Sequence, residues 1–217
     1  MSKLKGTARI LLALVMVLTL VAAIACEEEE EGEVTPLKIG QLNSFTGDLS
    51  DFGKAHRNCA QLAIDHINEA GGVLGTRVAI VARDTATNPV QAVDSASALV
   101  SVNNVVAIVG ALSSGVTIAV AQAVTVPDGI LQISAASTSP ALTVLDDDDL
   151  LFRTTVSDAV QGVILGRLAR ELGYDTASAL YVNNAYGQGL AEAFKAAFEA
   201  EGGTVLELVP HEQVQPT

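Results

Sequence analysis

The chain has 217 residues, with 12 Lys and Arg against 25 Asp and Glu, for a formal net charge of −13. Such an acidic surface repels phosphate backbones and anionic lipid headgroups, which argues against nucleic acid as a partner and against a helix lying flat on a membrane. Only two cysteines occur, Cys26 and Cys59, and the assignment of the first leaves the second without a partner, so no disulfide is expected.

At the N-terminus Lys3, Lys5 and Arg9 precede an apolar run from Ile10 to Ala25 that is short for a spanning helix and ends in small residues. That pattern reads as a signal peptide over residues 1–25. Ala23-Ile24-Ala25-Cys26 resembles a bacterial lipobox, in which the cysteine is lipidated and becomes the new N-terminus; an uncleaved anchor is the alternative. Removal of residues 1–25 takes away three of the twelve basic residues and none of the acidic ones, so the charge falls to −16. Membrane contact would then come from the anchor alone. Residues 26–36, mostly glutamate, repel one another too strongly to bury apolar surface and read as a solvated tether.

From Leu37 onward short β-rich runs alternate with segments of helical spacing, which predicts an α/β fold with a parallel sheet. The first strand covers Leu37 to Leu42. A helix follows from about Ser50 to Ala70, with Ala55, Cys59, Leu62, Ala63 and Ile67 at three- and four-residue steps on its apolar side, and Gly71-Gly72 stops it. In this stripe Cys59 reads as a small buried apolar residue. Further strands are expected over 77–83, 105–109 and 129–133, separated by helices over 88–101 and 114–124. In an open parallel sheet ligands sit outside the carboxyl ends of the strands, which singles out the loops 43–53, 84–88, 110–115 and 134–141.

A second block begins at Phe152-Arg153-Thr154, with helices over 157–172 and 185–200 and strands over 177–182 and 204–209. Two strands and two helices would leave an open strand edge and an uncovered face, so further residues beyond Thr217 are expected. The domain reading is thus a first lobe over 37–152 and the start of a second over 153–217.

Motifs for triphosphates, dinucleotides, an esterase elbow and paired metal ligands are absent. His56, His66 and His211 read as solvated or core residues. Asp146 to Asp149 lacks the glycine turn and interleaved oxygens of a calcium loop and reads as solvated, so no metal and no cofactor are assigned. Two small, hydroxyl-rich loops remain. In Gly110-Ala111-Leu112-Ser113-Ser114-Gly115, backbone N–H groups and the Ser114 hydroxyl suit a carboxylate at a helix start, or else Ser114 caps its own helix. The loop Ser134-Ala135-Ala136-Ser137-Thr138-Ser139-Pro140 is either an ordinary turn or, beside its neighbour, part of a binding rim.

Residues Leu37 to about Pro216 resemble the type I periplasmic binding proteins of branched-chain amino-acid transport, the leucine/isoleucine/valine-binding group. The resemblance is carried by Lys38-Ile39-Gly40 with Thr46-Gly47, by Ile67-Asn68 with Gly71-Gly72-Val73 and Gly75, and by Asp84, Val109-Gly110 and Ser113-Ser114. It continues through Ser137-Thr138-Ser139-Pro140, Phe152-Arg153-Thr154 and Asn184-Ala185-Tyr186-Gly187 with Gly189. It implies a two-lobed α/β fold of parallel sheets flanked by helices, with the second lobe incomplete here. It also implies a capture protein rather than an enzyme, an amino-acid-like ligand and an ABC transporter permease as partner. Carried over position by position, Ser114 and Thr138 would hold a ligand carboxylate, while the Ala136 carbonyl and the Thr138 hydroxyl would take the ammonium. Tyr186 would cover the ligand, Phe52 and Leu112 would line its side-chain pocket, and Ser113 and Ser137 belong to the same motifs. Family members run on for well over a hundred further residues, which carry an acidic partner for the ammonium, so this chain by itself is expected to bind its ligand weakly or not at all. A sensing receptor of the same fold is the rival reading. A hydrolase with Ser114 as nucleophile would need a histidine, and near the rim loops only His56 occurs, within the first helix.

Overall fold

The structure, a computed structural model, describes residues 35–213. The expected signal peptide, Cys26 and most of the tether lie outside the described residues. Five strands form one parallel sheet: β1 (Leu37–Asn43), β2 (Val78–Asp84), β3 (Ala107–Val109), β4 (Leu131–Ser134) and β5 (Leu151–Arg153), in the order β2-β1-β3-β4-β5. The helices between them are α1 (Ser50–Glu69), α2 (Pro89–Ser101) and α3 (Ser114–Val120), the last continuing through a π-helical turn over Ala121–Thr125. A short 3-10 turn, Pro140–Val144, precedes β5. The chain then runs through α4 (Asp158–Glu171), β6 (Thr176–Val182), α5 (Ala185–Ala200) and β7 (Thr204–His211), and β6 and β7 form a separate parallel pair. The fold is thus α/β with parallel sheets flanked by helices.

The strand order fixes where a crevice can open. From β1 the chain moves outward to β2 on one side, then returns to build β3, β4 and β5 on the other, so the direction of winding reverses between β1 and β3. Loops leaving those two strands diverge to opposite faces, and the gap between their carboxyl ends is where such sheets accept ligands.

The main core lies between the sheet and α2 and α3. Leu42 and Ile108 from the strands pack with Ala92, Ala96 and Leu99 of α2 and with Val116, Val120 and Val124. Alanines on α2 let that helix sit close to the sheet.

Helix α1 docks differently from what its spacing predicts. Its apolar residues Ala55, Cys59, Leu62, Ala63 and Ile67 are exposed, and the buried positions are Gly53 and Ile64. Cys59, read as buried, is therefore an exposed free thiol. The helix is held by polar clips from the sheet instead. Asn68 donates to the Val78 carbonyl and accepts from the Val78 N–H at 2.8 and 2.7 Å, Gln41 donates to the His56 carbonyl, and the buried Asn43 amide donates to the Gly53 carbonyl at 2.7 Å. A Cβ on Gly53 would lie 2.1 Å from the Ser44 carbonyl oxygen, so only glycine permits this approach.

Two further differences concern β-structure. The segment read as the opening of the second block, Phe152-Arg153, is in β5, the edge strand of the first sheet, paired with Ile133 and Ser134. The third strand is also shorter than expected and begins at Ala107. In the second block α4 and α5 pack closely because Gly162 faces Ala193, where a Cβ would approach the Ala193 Cβ to 2.5 Å.

Candidate functional site

At the carboxyl end of β1, Asn43 is buried, and its side-chain oxygen accepts the Ser44 N–H at 2.9 Å. The Ser44 and Thr85 hydroxyls meet at 3.1 Å. Beside them the Asp84 carboxylate takes the N–H groups of Phe45 and Ala86 at 2.8 and 2.9 Å, the Thr46 N–H and the Thr46 hydroxyl. Burial alone would raise the Asp84 pKa, but these four donors outweigh it and hold the carboxyl below its ordinary value. The loop leading to Phe52 is thus fixed by side chains that do not themselves face a ligand.

A second network ties the loop after β3 to the loop after β4. Fully buried Gln132 donates to the carbonyls of Gly110 and Thr117 at 3.1 and 3.3 Å and accepts from the Thr125 hydroxyl at 2.7 Å. The Ser134 hydroxyl donates to the Ala111 carbonyl at 2.6 Å and accepts the Ser137 N–H at 3.0 Å. The Ser137 hydroxyl meets that of Thr117 at 2.8 Å and donates to the Leu112 carbonyl at 3.2 Å. Ser137, expected among the ligand contacts, is turned into this network and lies outside the cavity lining. A polar network satisfied throughout makes two short loops rigid with respect to each other.

Ser114 is the first residue of α3, and its N-cap is Ser113, which makes no side-chain capping bond. The Ser114 hydroxyl does not cap the helix either; its oxygen accepts the Ser139 N–H at 3.2 Å, joining the same two loops and leaving its own proton to donate. The Thr138 hydroxyl is buried and without a hydrogen-bond partner among the described residues. Its carbonyl accepts from the Asp158 N–H at 2.8 Å and from the Arg153 guanidinium at 3.2 Å.

These loops close on a cavity of about 830 Å³. Phe52, Leu112, Ser113, Ser114, Ala136 and Thr138 line it from the first sheet, and Tyr186, in the first turn of α5, lines it from the second. Asp48 and Leu49, of the loop 43–53, and Asn184, of the motif with Tyr186, also line it, as do His56 and His211, read from sequence as solvated or core, and Gln161, Val182 and Gln213, which sequence reasoning did not single out. His56 follows Phe52 by one helical turn, a signal that was available. His211 and Gln213 come from the end of β7, far away in sequence. Asn184 caps α5 by accepting the Gly187 N–H at 3.0 Å and donates to the Gln213 side chain at 3.0 Å. Among the described residues no three His, Cys, Asp or Glu side chains converge as metal ligands, and no helix is long and apolar enough to cross a membrane.

Residues 36–217 match the family described as periplasmic binding protein. The chain belongs to that family. Among its relatives, the Leu/Ile/Val-binding protein BraC3 of Rhizobium johnstonii is 35% identical over 188 residues, covering 86% of this chain and 49% of that protein. The chemotactic signal transduction system substrate-binding protein BasB of Halobacterium salinarum is 30% identical, covering 82% of this chain and 44% of that protein. In structure, the branched-chain amino acid transporter substrate-binding protein LivJ from Streptococcus pneumoniae, solved with isoleucine, superposes with a TM-score of 0.70 at 29% identity, over 82% of this chain and 50% of that one. The chain therefore spans about half the length of the periplasmic binding proteins it matches.

Proposed function

We propose that this chain is the ligand-capturing part of an extracytoplasmic solute-binding protein that takes up an amino acid or amino-acid-like molecule of the branched-chain class and presents it to an ABC importer. The observation that carries this reading is that Ser114, Thr138 and Tyr186, from two separate sheets, line one cavity at the winding reversal of the first sheet. Ser114 and Thr138 offer hydroxyls to the ligand carboxylate, the Ala136 carbonyl and Thr138 receive its ammonium, and Phe52 and Leu112 contact the side chain. Tyr186 closes over it as the two sheets approach, and the closed form is what a permease recognises. A lipidated Cys26 would tether the protein at the membrane on the outer side, with the acidic segment as spacer. The names of BraC3 and LivJ support the ligand class.

Calorimetric titration of the natural gene product with leucine, isoleucine, valine and related amides tests this. Saturable binding of at least one of them is expected, and indifference to all amino-acid-like ligands would sink the ligand class. The name of BasB favours a second reading, a sensing receptor of the same fold. Ligand-stimulated transport in vesicles carrying the partner permease separates the two, because a receptor subunit leaves uptake unchanged.

A further inference from the structure

One charge in the cavity goes unanswered. Asp48 lines the wall from the loop between β1 and α1, and both its carboxylate oxygens are shielded from solvent without a hydrogen-bond partner among the described residues. Among the described residues no Lys or Arg lines the cavity, and its other titratable side chains are His56, Tyr186 and His211. Asp158 is a second buried carboxylate without a partner, yet its surroundings differ. It sits in the first turn of α4, whose N-terminus favours negative charge, and the Arg153 guanidinium donates to the carbonyls of Thr138 and Ser139 on the segment that Asp158 itself contacts. Asp48, one residue before the Leu49 N-cap of α1, also lies near a helix N-terminus, but neither of its oxygens accepts an N–H from that helix and no guanidinium reaches the segment beside it.

A carboxylate withdrawn from water and left unpaired has lost hydration without compensation. A cation entering beside it restores part of that loss, and an anion adds to it. At a partly enclosed wall this field is screened less than in water, so it acts on a bound molecule across a few ångströms without direct contact.

We propose that Asp48 adds to the charge selectivity of the cavity, favouring ligands with a cationic nitrogen and disfavouring carboxylates that lack one. The proposal rests on the reading of the cavity as the ligand site. Leucine, leucinamide and 4-methylpentanoate share a side chain and differ in the charges they carry, which makes them the probes. The natural gene product and its Asp48→Asn variant are titrated with all three by calorimetry. In the unaltered protein leucine is expected to outbind 4-methylpentanoate, and Asp48→Asn is expected to shrink that preference by about tenfold, weakening leucine and leucinamide while sparing 4-methylpentanoate. A residue that only supports the loop weakens all three ligands alike. An unchanged ratio with leucine still bound overturns the role of Asp48 and leaves the ligand-site reading standing, whereas failure of all three to bind the unaltered protein overturns both. Asp48→Ser supplies the same ratio should the asparagine variant not fold.

Discussion

Neighbouring residues in the rim loops do opposite work, and their physical settings say which variant should disturb what. Asp84 anchors the first loop: four donors keep its pKa depressed despite burial. A carboxyl whose folded pKa lies below its unfolded value of about 3.9 contributes stability that is fully present above that value and is lost as pH falls through the folded pKa. Asp84→Asn is therefore expected to flatten the acid limb of the stability curve below about pH 4, measured by urea unfolding at a series of pH values. Curves of identical shape would show that Asp84 carries no linkage. Ser137 and Thr138 form a sharper contrast. Ser137→Ala strips a partner from the Thr117 hydroxyl and the Leu112 carbonyl inside a buried network, an expected loss of about 1–3 kcal/mol. Thr138→Ala removes a buried hydroxyl that has no partner among the described residues, so stability should stay within about 0.5 kcal/mol while leucine affinity falls. Urea unfolding and calorimetry on both variants check the pair, and the reverse pattern would exchange their roles.

At the scale of elements, sequence pattern located the five described α-helices but not the 3-10 turn at Pro140–Val144, and it did not orient α1. The stripe through Ala55, Cys59 and Leu62 has the right period, yet the face toward the sheet is set by Asn43, Asn68, Gln41 and the bare Cα of Gly53. Polar clips leave no trace in hydropathy, which is why the face could not be read. Cys59 gives the direct check: in the folded chain it should react with a thiol reagent at a rate close to that in denaturant, and strong protection would mean that α1 is rotated. Strand β5 shows a second limit. Three residues carry too little pattern to say which sheet they join; that depends on pairing with Ile133 and Ser134 of β4. The candidate site was legible where small hydroxyl-bearing turns follow strands, as at Ser114 and Thr138. It was illegible where the contributor is a lone polar residue such as Asp48, or arrives from β7 as His211 and Gln213 do. The network around Gln132 was hidden for a related reason, because a buried glutamine in a four-residue strand resembles any polar interruption.

For the molecule as a whole, the distribution of apolar surface separates what is finished from what is open. The side of the first sheet beneath α2 and α3 is closed by a continuous core. Elsewhere Leu131 and Phe152 on β4 and β5 are exposed, and Val160, Ile164 and Leu168 of α4, with Leu172 at its C-cap, form an i, i+4 row with 51, 60, 46 and 65% of their surfaces accessible. A branched side chain gains roughly 1.5–3 kcal/mol on full burial, so a row of four facing water is a strong drive toward any apolar surface that can cover it. A polypeptide limited to residues 36–217 should therefore associate with itself and bind a dye such as ANS, even though its net charge opposes contact between copies. Replacing Ile164 and Leu168 together by lysine should suppress both signals while leaving the urea midpoint close to that of the parent, because neither side chain belongs to the core. Sedimentation velocity over a wide concentration range, with dye fluorescence on the same samples, decides the matter. A parent polypeptide that stays monomeric and dark would mean that this row is covered within the chain itself, and α4 would then have to be packed differently against α5.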